Sequence, residues 1–206
     1  MNQPKQPRLF FTSDQHFFHK NIIKYCDRPF TVDEEGVKEC IEYIVNTHNN
    51  VVKNDDVVVW VGDISMHKPH QREFVKRIIE AHNGRKILFM GNHDKEPMSF
   101  YNELFERVIK DYEIVDGWLI CHYPVTSHEY SRKSELKVLE RIYKDLDFQD
   151  VHTIIHGHTH EKNVNVYAKD GIRRINVCVD YPDNYFEPVE MFDKALLQHF
   201  VTKKPE

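Results

Sequence analysis

The chain has 206 residues, of which 40% are hydrophobic and 30% charged, as is typical of a globular domain with a core of its own. Its formal net charge of −5 argues against electrostatic attraction to duplex nucleic acid or to an anionic membrane surface. No apolar stretch approaches the roughly 20 residues that a membrane-spanning helix needs. We therefore expect a single domain over residues 1–206, with neither a membrane nor duplex nucleic acid as its partner.

The cysteines indicate a cellular compartment, and the histidines indicate metal binding. The four cysteines show no Cys-x-x-Cys spacing and the N-terminal residues show no signal-peptide pattern, so we expect a reduced, cytoplasmic protein. The 14 histidines exceed what packing requires, and imidazole is a common metal ligand. His19, His48 and His199 have no neighbours of ligand type, and we assign them surface or structural roles.

The first half of the chain alternates predicted strands and helices. Short apolar runs predict strands at residues 8–14, 57–61 and 86–90. Apolar residues at helical intervals predict helices from residue 31 to about 47, from 69 to about 84 and within 100–108. The spacing of Thr31 and Glu34 predicts a capping box, and Pro69 suits a first helical turn.

In the second half of the chain, the sequence pattern predicts hairpins as well as further helices. The strands Tyr112–Val115 and Trp118–Cys121 flank Asp116-Gly117, a strong hairpin signal. Further strands are predicted at residues 154–155, 164–167 and 174–179, and helices at 136–146 and through 196–197. Since βα units come first and hairpins later, we expect two packed sheets with helices outside, rather than one purely parallel sheet.

Five of the predicted strands end in residues that can bind a metal. These endings are Asp14-Gln15-His16, Gly62-Asp63, Gly91-Asn92-His93-Asp94, His122 and His156-Gly157-His158-Thr159-His160. A single Asp or His after a strand is usually a turn residue or a cap. Because sites in open α/β sheets gather at the carboxyl ends of strands, five such endings together predict one polar pocket.

The residue types in this pocket favour a site for two metal ions. On an extended backbone, residues two apart point the same way, so Asp14 and His16 can converge on one ion, as can His158 and His160. Asp63 has two oxygens and suits a bridge. The full candidate set is Asp14, His16, Asp63, Asn92, His122, His158 and His160. These nitrogen and oxygen donors suit Mn²⁺, Fe²⁺, Co²⁺, Ni²⁺ or Zn²⁺, and they are too many for one tetrahedral ion.

Taken in order, these endings resemble the five motifs of the calcineurin-like metallophosphoesterase superfamily. The matching residues are Asp14-x-His16, Gly62-Asp63, Gly91-Asn92-His93-Asp94, His122 and Gly157-His158-x-His160. Segments 21–25 and 176–180 are similar to those of small bacterial and phage members. The resemblance implies a mixed α and β fold, a four-layer α-β-β-α sandwich, with a dinuclear metal site at the carboxyl ends of the strands.

The resemblance also implies a role for each site residue. By the family pattern, Asp14, His16, Asp63 and His160 hold one ion, while Asp63, Asn92, His122 and His158 hold the other. His93 acts in catalysis and Asp94 orients it. The implied reaction is the hydrolysis of a phosphate ester, in which a hydroxide between two ions, with Mn²⁺ expected, attacks phosphorus and His93 protonates the leaving alkoxide.

Departures from the family pattern bear on the substrate. Asp63 is followed by Ile64-Ser65-Met66-His67 and Asp94 ends the third motif, whereas protein Ser/Thr phosphatases carry a longer second motif with Asp-Arg after the metal-binding Asp and end the third with Glu. This disfavours protein substrates and favours small phosphodiesters or nucleotide-like esters. Two alternatives remain open: a catalytically silent binding scaffold on the same fold, and hydrolysis of another bond such as an amide. His93 beside a complete ligand set favours the enzyme over the scaffold.

Several residues outside the motifs receive weaker assignments. Arg132 or Lys133 is hypothesised to contact a substrate phosphate, with an exposed basic turn as an equally good interpretation. His67 and His70 are expected at the surface rather than at the rim of the site, and Cys178 in the core.

Overall fold

Nine strands form two sheets in the computed structural model, which describes residues 6–125, 139–143, 150–160 and 171–202. The strands are β1 (Leu9–Thr12), β2 (Val57–Trp60), β3 (Arg85–Phe89), β4 (Arg107–Ile109), β5 (Tyr112–Val115), β6 (Trp118–Cys121), β7 (Thr153–His156), β8 (Arg173–Asn176) and β9 (Val189–Met191). The five-stranded sheet has the order β4-β3-β2-β1-β9, and the four-stranded sheet the order β5-β6-β7-β8. Neighbouring strands are parallel except for β9 beside β1 and β5 beside β6.

Helices cover the outer faces of the sheets. On the five-stranded sheet these are α1 (Lys20–Tyr25), α2 (Glu34–Val51), α3 (Arg72–Glu80) and α4 (Met98–Asn102), whereas a C-terminal helix (Lys194–Thr202) packs Leu196 and Phe200 against the residues between the two sheets. Residues 139–143 are also helical, and a 3-10 turn at Pro69–Gln71 leads into α3. Within the described ranges, no helix combines the length and the apolar character needed to cross a membrane.

Side chains alternate along the strands and so build separate layers of core. From β1, Phe11 packs between the two sheets with Ile120 of β6 and Ile155 of β7, whereas Phe10 packs under the helices that follow β1, β2 and β3. The outer face of the four-stranded sheet packs against Leu139 and neighbouring residues. Both faces of the five-stranded sheet are covered, so the central strands carry apolar residues on both sides. For this reason they appear in the sequence as continuous apolar runs. The predicted four-layer α-β-β-α sandwich is confirmed.

Some local predictions need correction. The first residue of α2 is capped by Asp33, whose side chain accepts a hydrogen bond from the Gly36 N–H (2.8 Å), so the predicted capping box at Thr31 is wrong. The helix also runs on to Val51. The hairpin turn is confirmed, with positive φ at Asp116 (48°) and Gly117 (76°).

Other predicted elements were missed or lie outside the described part of the chain. The short strands β4 and β9 were not predicted, because three residues of mixed polarity give no periodic signal. The predicted strand at 164–167 and most of the predicted helix at 136–146 fall outside the described residues; the part that is described, 139–143, is helical.

We expect the folded protein to lose stability on mild acidification because of two buried histidines under β2. The His48 and His82 rings lie 4.7 Å apart beside Trp60 and near Lys86, and each has a nitrogen at a backbone carbonyl oxygen. Burial lowers the pKa of His48 to about 4 and that of His82 well below its usual value. The unfolded chain therefore takes up protons first as the pH falls below about 6.5, which stabilises the unfolded state.

Urea unfolding at about pH 7.5 and about pH 5 measures this effect, and His48 alone should account for about 2 kcal/mol of the loss. A His48→Gln variant keeps a side-chain donor for the Asn83 carbonyl and should show a shallower dependence of stability on pH. An unchanged dependence in that variant would contradict the assignment.

Candidate metal centre

The five predicted strand endings meet at one edge of the sandwich. The turns after β1, β2 and β3 come from the five-stranded sheet, and those after β6 and β7 come from the four-stranded sheet. Backbone hydrogen bonds join them: the Asp14 N–H donates to the Gly62 carbonyl (3.0 Å) and the Gly157 N–H to the His122 carbonyl (3.1 Å). Across the sheets, the His158 N–H donates to the Asp14 carboxylate (2.9 Å). Each sheet therefore contributes to one shared pocket.

Several ligand-type residues have a left-handed backbone, which is uncommon for side chains with a Cβ. The φ angles are 61° at Asp14, 51° at His16, 58° at Asp63 and 67° at His158. Strained conformations of this kind persist only where surrounding contacts hold them, and they are frequent at functional sites. Gly91 is needed for a different reason, since a Cβ there would collide with the Asp63 carboxylate.

One set of ligand atoms comprises Asp14, His16 and His160, which we call the first ligand group. Their ligand atoms lie within 4.8 Å of one another. His160 Nε2 is 3.6 Å and His16 Nε2 3.9 Å from Asp14 Oδ1. Asp14 is fully buried, and burial lowers the pKa of His16 to about 3, although the nearby Asp63 opposes that shift. A neutral His16 imidazole is the form that binds metals.

The second ligand group comprises Asp63, His122 and His158, again with ligand atoms within 4.8 Å of one another. His122 Nε2 is 3.3 Å from Asp63 Oδ2 and 3.2 Å from His158 Nδ1. Asp63 Oδ2 also lies 3.6 Å from Nε2 of His16, in the first ligand group. One carboxylate oxygen therefore faces imidazoles of both groups.

The protonation of His122 tests whether a cation fits this position. Its Nδ1–H donates to the Val61 carbonyl oxygen (2.7 Å), which leaves the Nε2 lone pair of a neutral ring facing the Asp63 carboxylate. Burial opposes a positive charge on His122, but Asp63 outweighs it and raises the pKa to about 9. The Asp63 carboxylate thus favours a positive charge beside His122 Nε2, and a proton or a metal ion can provide it.

Asn92 gives a second test of fit. Its side-chain oxygen is buried and, among the described residues, has no hydrogen-bond partner. Buried polar atoms without a partner are rare and call for an explanation such as an ion. An amide oxygen in the turn next to Asp63 is a group that could serve as a metal ligand.

His93 and Asp94 differ in what they contact. The half-buried His93 ring lies beside the His16 ring, with centroids 5.3 Å apart, and the His93 N–H donates to Asp63 Oδ1 (2.8 Å). The Asp94 carboxylate accepts hydrogen bonds from the N–H groups of Gly91 (2.8 Å), Asp63 (2.9 Å) and Ile64 (3.0 Å). Asp94 thus links the turn that carries Asp63 to the turn that carries His93. Through these backbone hydrogen bonds Asp94 can orient His93. Burial, with Asp63 nearby, raises the pKa of Asp94 to about 6.

The sequence analysis missed two residues behind the first ligand group. Asp180 Oδ2 lies 2.7 Å from His160 Nδ1, and Arg28 pairs with the same carboxylate at 2.7 Å. Cys178, expected in the core, is fully buried but also lies beside His160, with its sulfur 3.5 Å from Nδ1. Segment 176–180 was already part of the family resemblance, and an acidic residue in it was the available signal. No sequence pattern pointed to Arg28.

Three other predictions concern residues outside the ligand groups, among them His19, to which the sequence assigned a surface or structural role. The His19 ring lies 5.6 Å from that of His16, so His19 borders the site. His67 is half-buried rather than at the surface, between Ser65 Oγ (2.8 Å) and Glu96 (3.1 Å), whereas His70 is exposed as expected. Arg132 and Lys133 fall outside the described residues.

A four-layer sandwich with Asp and His ligand groups at its strand ends is the arrangement of metallophosphoesterases. In agreement, residues 7–122, more than half of the chain, match the calcineurin-like phosphoesterase family. The chain belongs to this family.

Similar proteins from other organisms agree in length and fold. The uncharacterized protein MJ1445 of Methanocaldococcus jannaschii is 30% identical over 186 residues, which are 89% of this chain and 87% of that protein. The Gene 66 protein of Mycobacterium phage L5 is 28% identical over 203 residues, covering 89% of this chain and 92% of its own. A solved structure, AQ665 from Aquifex aeolicus, a protein of unknown function, superposes with a TM-score of 0.70 at 29% identity over 89% of this chain and 95% of its own.

Proposed function

We propose that this chain is a dinuclear metal-dependent phosphoesterase that hydrolyses small phosphodiesters or nucleotide-like esters. The observation that carries the proposal is the position of Asp63 Oδ2, 3.6 Å from His16 Nε2 and 3.3 Å from His122 Nε2. A carboxylate oxygen shared by two ligand groups is what two ions with a common bridge require. The proposed unit is a single domain over residues 1–206, and four free cysteines support a reducing, cytoplasmic setting.

Each proposed ion would have four protein ligands. Asp14, His16, Asp63 and His160 would hold one ion, and Asp63, Asn92, His122 and His158 the other. Because all the donors are nitrogen or oxygen, Mn²⁺ is the proposed metal and Fe²⁺, Co²⁺, Ni²⁺ or Zn²⁺ are further candidates. Two such ions, when bound, lower the pKa of a coordinated water and offset charge on the phosphoryl oxygens.

His93 is the proposed general acid. Its ring is next to the first ligand group but half-buried, so it can exchange protons with solvent and reach a leaving group. A protonated His93 would donate its proton to the departing alkoxide oxygen, which lowers the barrier for poor leaving groups. Asp63 holds the His93 backbone N–H, so the proposed bridging ligand and the proposed acid have a fixed relative position.

The preference for diesters rests on charge. A diester carries a single negative charge and so suits an open two-metal site that has no dedicated phosphate-binding loop. The sequence contains 7 glycines and no Gly-rich loop of that kind.

Removing and restoring the metal tests the proposed function. We expect protein stripped with a chelator to be inactive, and Mn²⁺ to restore hydrolysis of bis(p-nitrophenyl) phosphate more strongly than that of p-nitrophenyl phosphate. A p-nitroanilide amide serves as the comparison for bond type and should not be cleaved. Two bound ions without turnover of either ester would instead support the binding scaffold, and turnover of the anilide alone would support an amide hydrolase.

A further inference from the structure

A buried ion pair lies directly behind the first ligand group. Arg28 Nε donates to Asp180 Oδ1 (2.7 Å) and Arg28 Nη2 to Asp180 Oδ2 (2.8 Å). The side chains of Arg28 and Asp180 are only 1% and 2% exposed. Burying two charges is unfavourable unless their hydrogen bonds are satisfied, and removing one partner leaves the other charge unpaired. Such a pair therefore needs additional contacts to hold it in place.

Arg28 also lies near Cys40 Sγ (3.6 Å) and over the Phe186 ring (5.7 Å), but its two further hydrogen bonds to oxygen lead to the first ligand group. Arg28 Nη2 donates to the Asp14 carbonyl oxygen and Arg28 Nη1 to the Gln15 carbonyl oxygen, both at 3.0 Å. These two carbonyls belong to the turn in which Asp14 and His16 have left-handed backbones. One guanidinium thus holds the strained turn that presents two of the ligands.

The third ligand, His160, is held through Asp180. His160 Nδ1 lies 2.7 Å from Asp180 Oδ2, and since an ionised carboxylate can only accept, Nδ1 carries the hydrogen. In the neutral imidazole this leaves the lone pair on Nε2, which faces Asp14 Oδ1 at 3.6 Å. Carboxylate partners of this kind fix the tautomer and ring orientation of metal-binding histidines.

We propose that Asp180, held in place by Arg28, is a positioning residue that fixes His160 as a ligand of the first metal ion. This inference rests on the proposed function, because it assumes that the first ligand group binds an ion. According to this inference, losing the Arg28–Asp180 pair weakens the binding of one of the two proposed ions and leaves the binding of the other unchanged.

A competing interpretation is a third metal site. Cys26, His160 and Asp180 also have ligand atoms within 4.8 Å of one another. The guanidinium of Arg28, however, already occupies both oxygens of Asp180, and His160 Nδ1–H takes a further position on Oδ2. A cation there would have to displace a buried positive charge, so the contacts favour positioning over ligation.

Calorimetric titration of the metal-free protein with Mn²⁺ tests the inference. We expect the wild type to bind two ions and Asp180→Asn to bind one of them about 10–100-fold more weakly, with the other affinity unchanged. A His160→Ala variant identifies the affected ion, since it should weaken the same binding event.

Two controls distinguish a positioning role of Asp180 from a general loss of stability. Asp56 pairs with Arg8 (2.6 Å) at the opposite end of β1, and Asp56→Asn should leave both affinities unchanged. The double variant Arg28→Gln/Asp180→Asn removes the unpaired charge, so without metal it should melt at a higher temperature than Asp180→Asn, whereas the lost affinity should not return. The melting temperatures of all variants are measured in parallel.

The outcomes distinguish failure of this inference from failure of the proposed function. A wild type that binds two ions together with an Asp180→Asn variant that binds both equally well would overturn the positioning role alone. Equal weakening of both ions, restored in the double variant, would also overturn it, because the pair would then be merely structural. A wild type that binds no ion would overturn the proposed function and the inference with it.

Discussion

An Asp63→Asn variant is expected to lose at least about a thousandfold in kcat/KM toward bis(p-nitrophenyl) phosphate in the presence of Mn²⁺. The substitution is isosteric, and its remaining oxygen can still accept the His93 N–H hydrogen bond that Asp63 Oδ1 accepts. The other oxygen, which faces His16 and His122, is replaced by an NH₂ group that cannot bind a cation. Both proposed ions lose a ligand at once, so the effect on turnover should exceed that of losing any other single ligand.

Steady-state kinetics and metal analysis of the same preparations check this result. Asp56→Asn is the matched control, because it also neutralises a buried aspartate next to β2, but at the end far from the centre. Nearly unchanged turnover in Asp63→Asn, with two ions still bound, would refute a bridging role for Asp63.

A His93→Ala variant should keep its metal ions but lose activity in a manner that depends on the leaving group. A general acid contributes about 10²–10⁴-fold when the leaving alkoxide needs a proton, whereas p-nitrophenolate departs without one. We therefore expect a loss of that size for an alkyl ester and a much smaller loss for bis(p-nitrophenyl) phosphate. The ligand atoms of both groups belong to other residues, so the Mn²⁺ stoichiometry should be unchanged.

The exposed His70 provides a control histidine, and His70→Ala should leave both rates as they are. An equal loss on both esters in His93→Ala would assign His93 to substrate binding instead. Loss of a metal ion in that variant would assign it to the ligand set.

The sequence could predict the layout of the sandwich because the relevant signals are local. Buried strands such as β2 are short apolar runs, and the Asp116-Gly117 turn needs two positive φ angles that these residues tolerate. The candidate ligands were predictable for a similar reason, since each follows directly on a strand and parallel strands present their carboxyl ends together. The family resemblance then gave each ligand a role.

What escaped prediction depends on contacts between distant parts of the chain. Arg28 and Asp180 are 152 residues apart, and neither lies in a periodic pattern that would mark it as buried. The side chain of His19 borders the centre because α1 follows directly on the β1 turn, a placement that only tertiary structure defines. Strand β9 pairs antiparallel to β1 through just three residues, so the pairing partner rather than the segment's own sequence makes it a strand.

Each ligand group takes residues from both sheets: Asp14 and His16 with His160, and Asp63 with His122 and His158. Neither half of the sandwich can therefore bind an ion well by itself, and the affinity arises only when the halves have joined. Ion binding at these groups would consequently be coupled to folding, and each proposed ion at 100 times its dissociation constant would add about 2.7 kcal/mol to the free energy of unfolding. In this protein, the metal supply would set how firmly the two sheets hold together as well as whether turnover occurs.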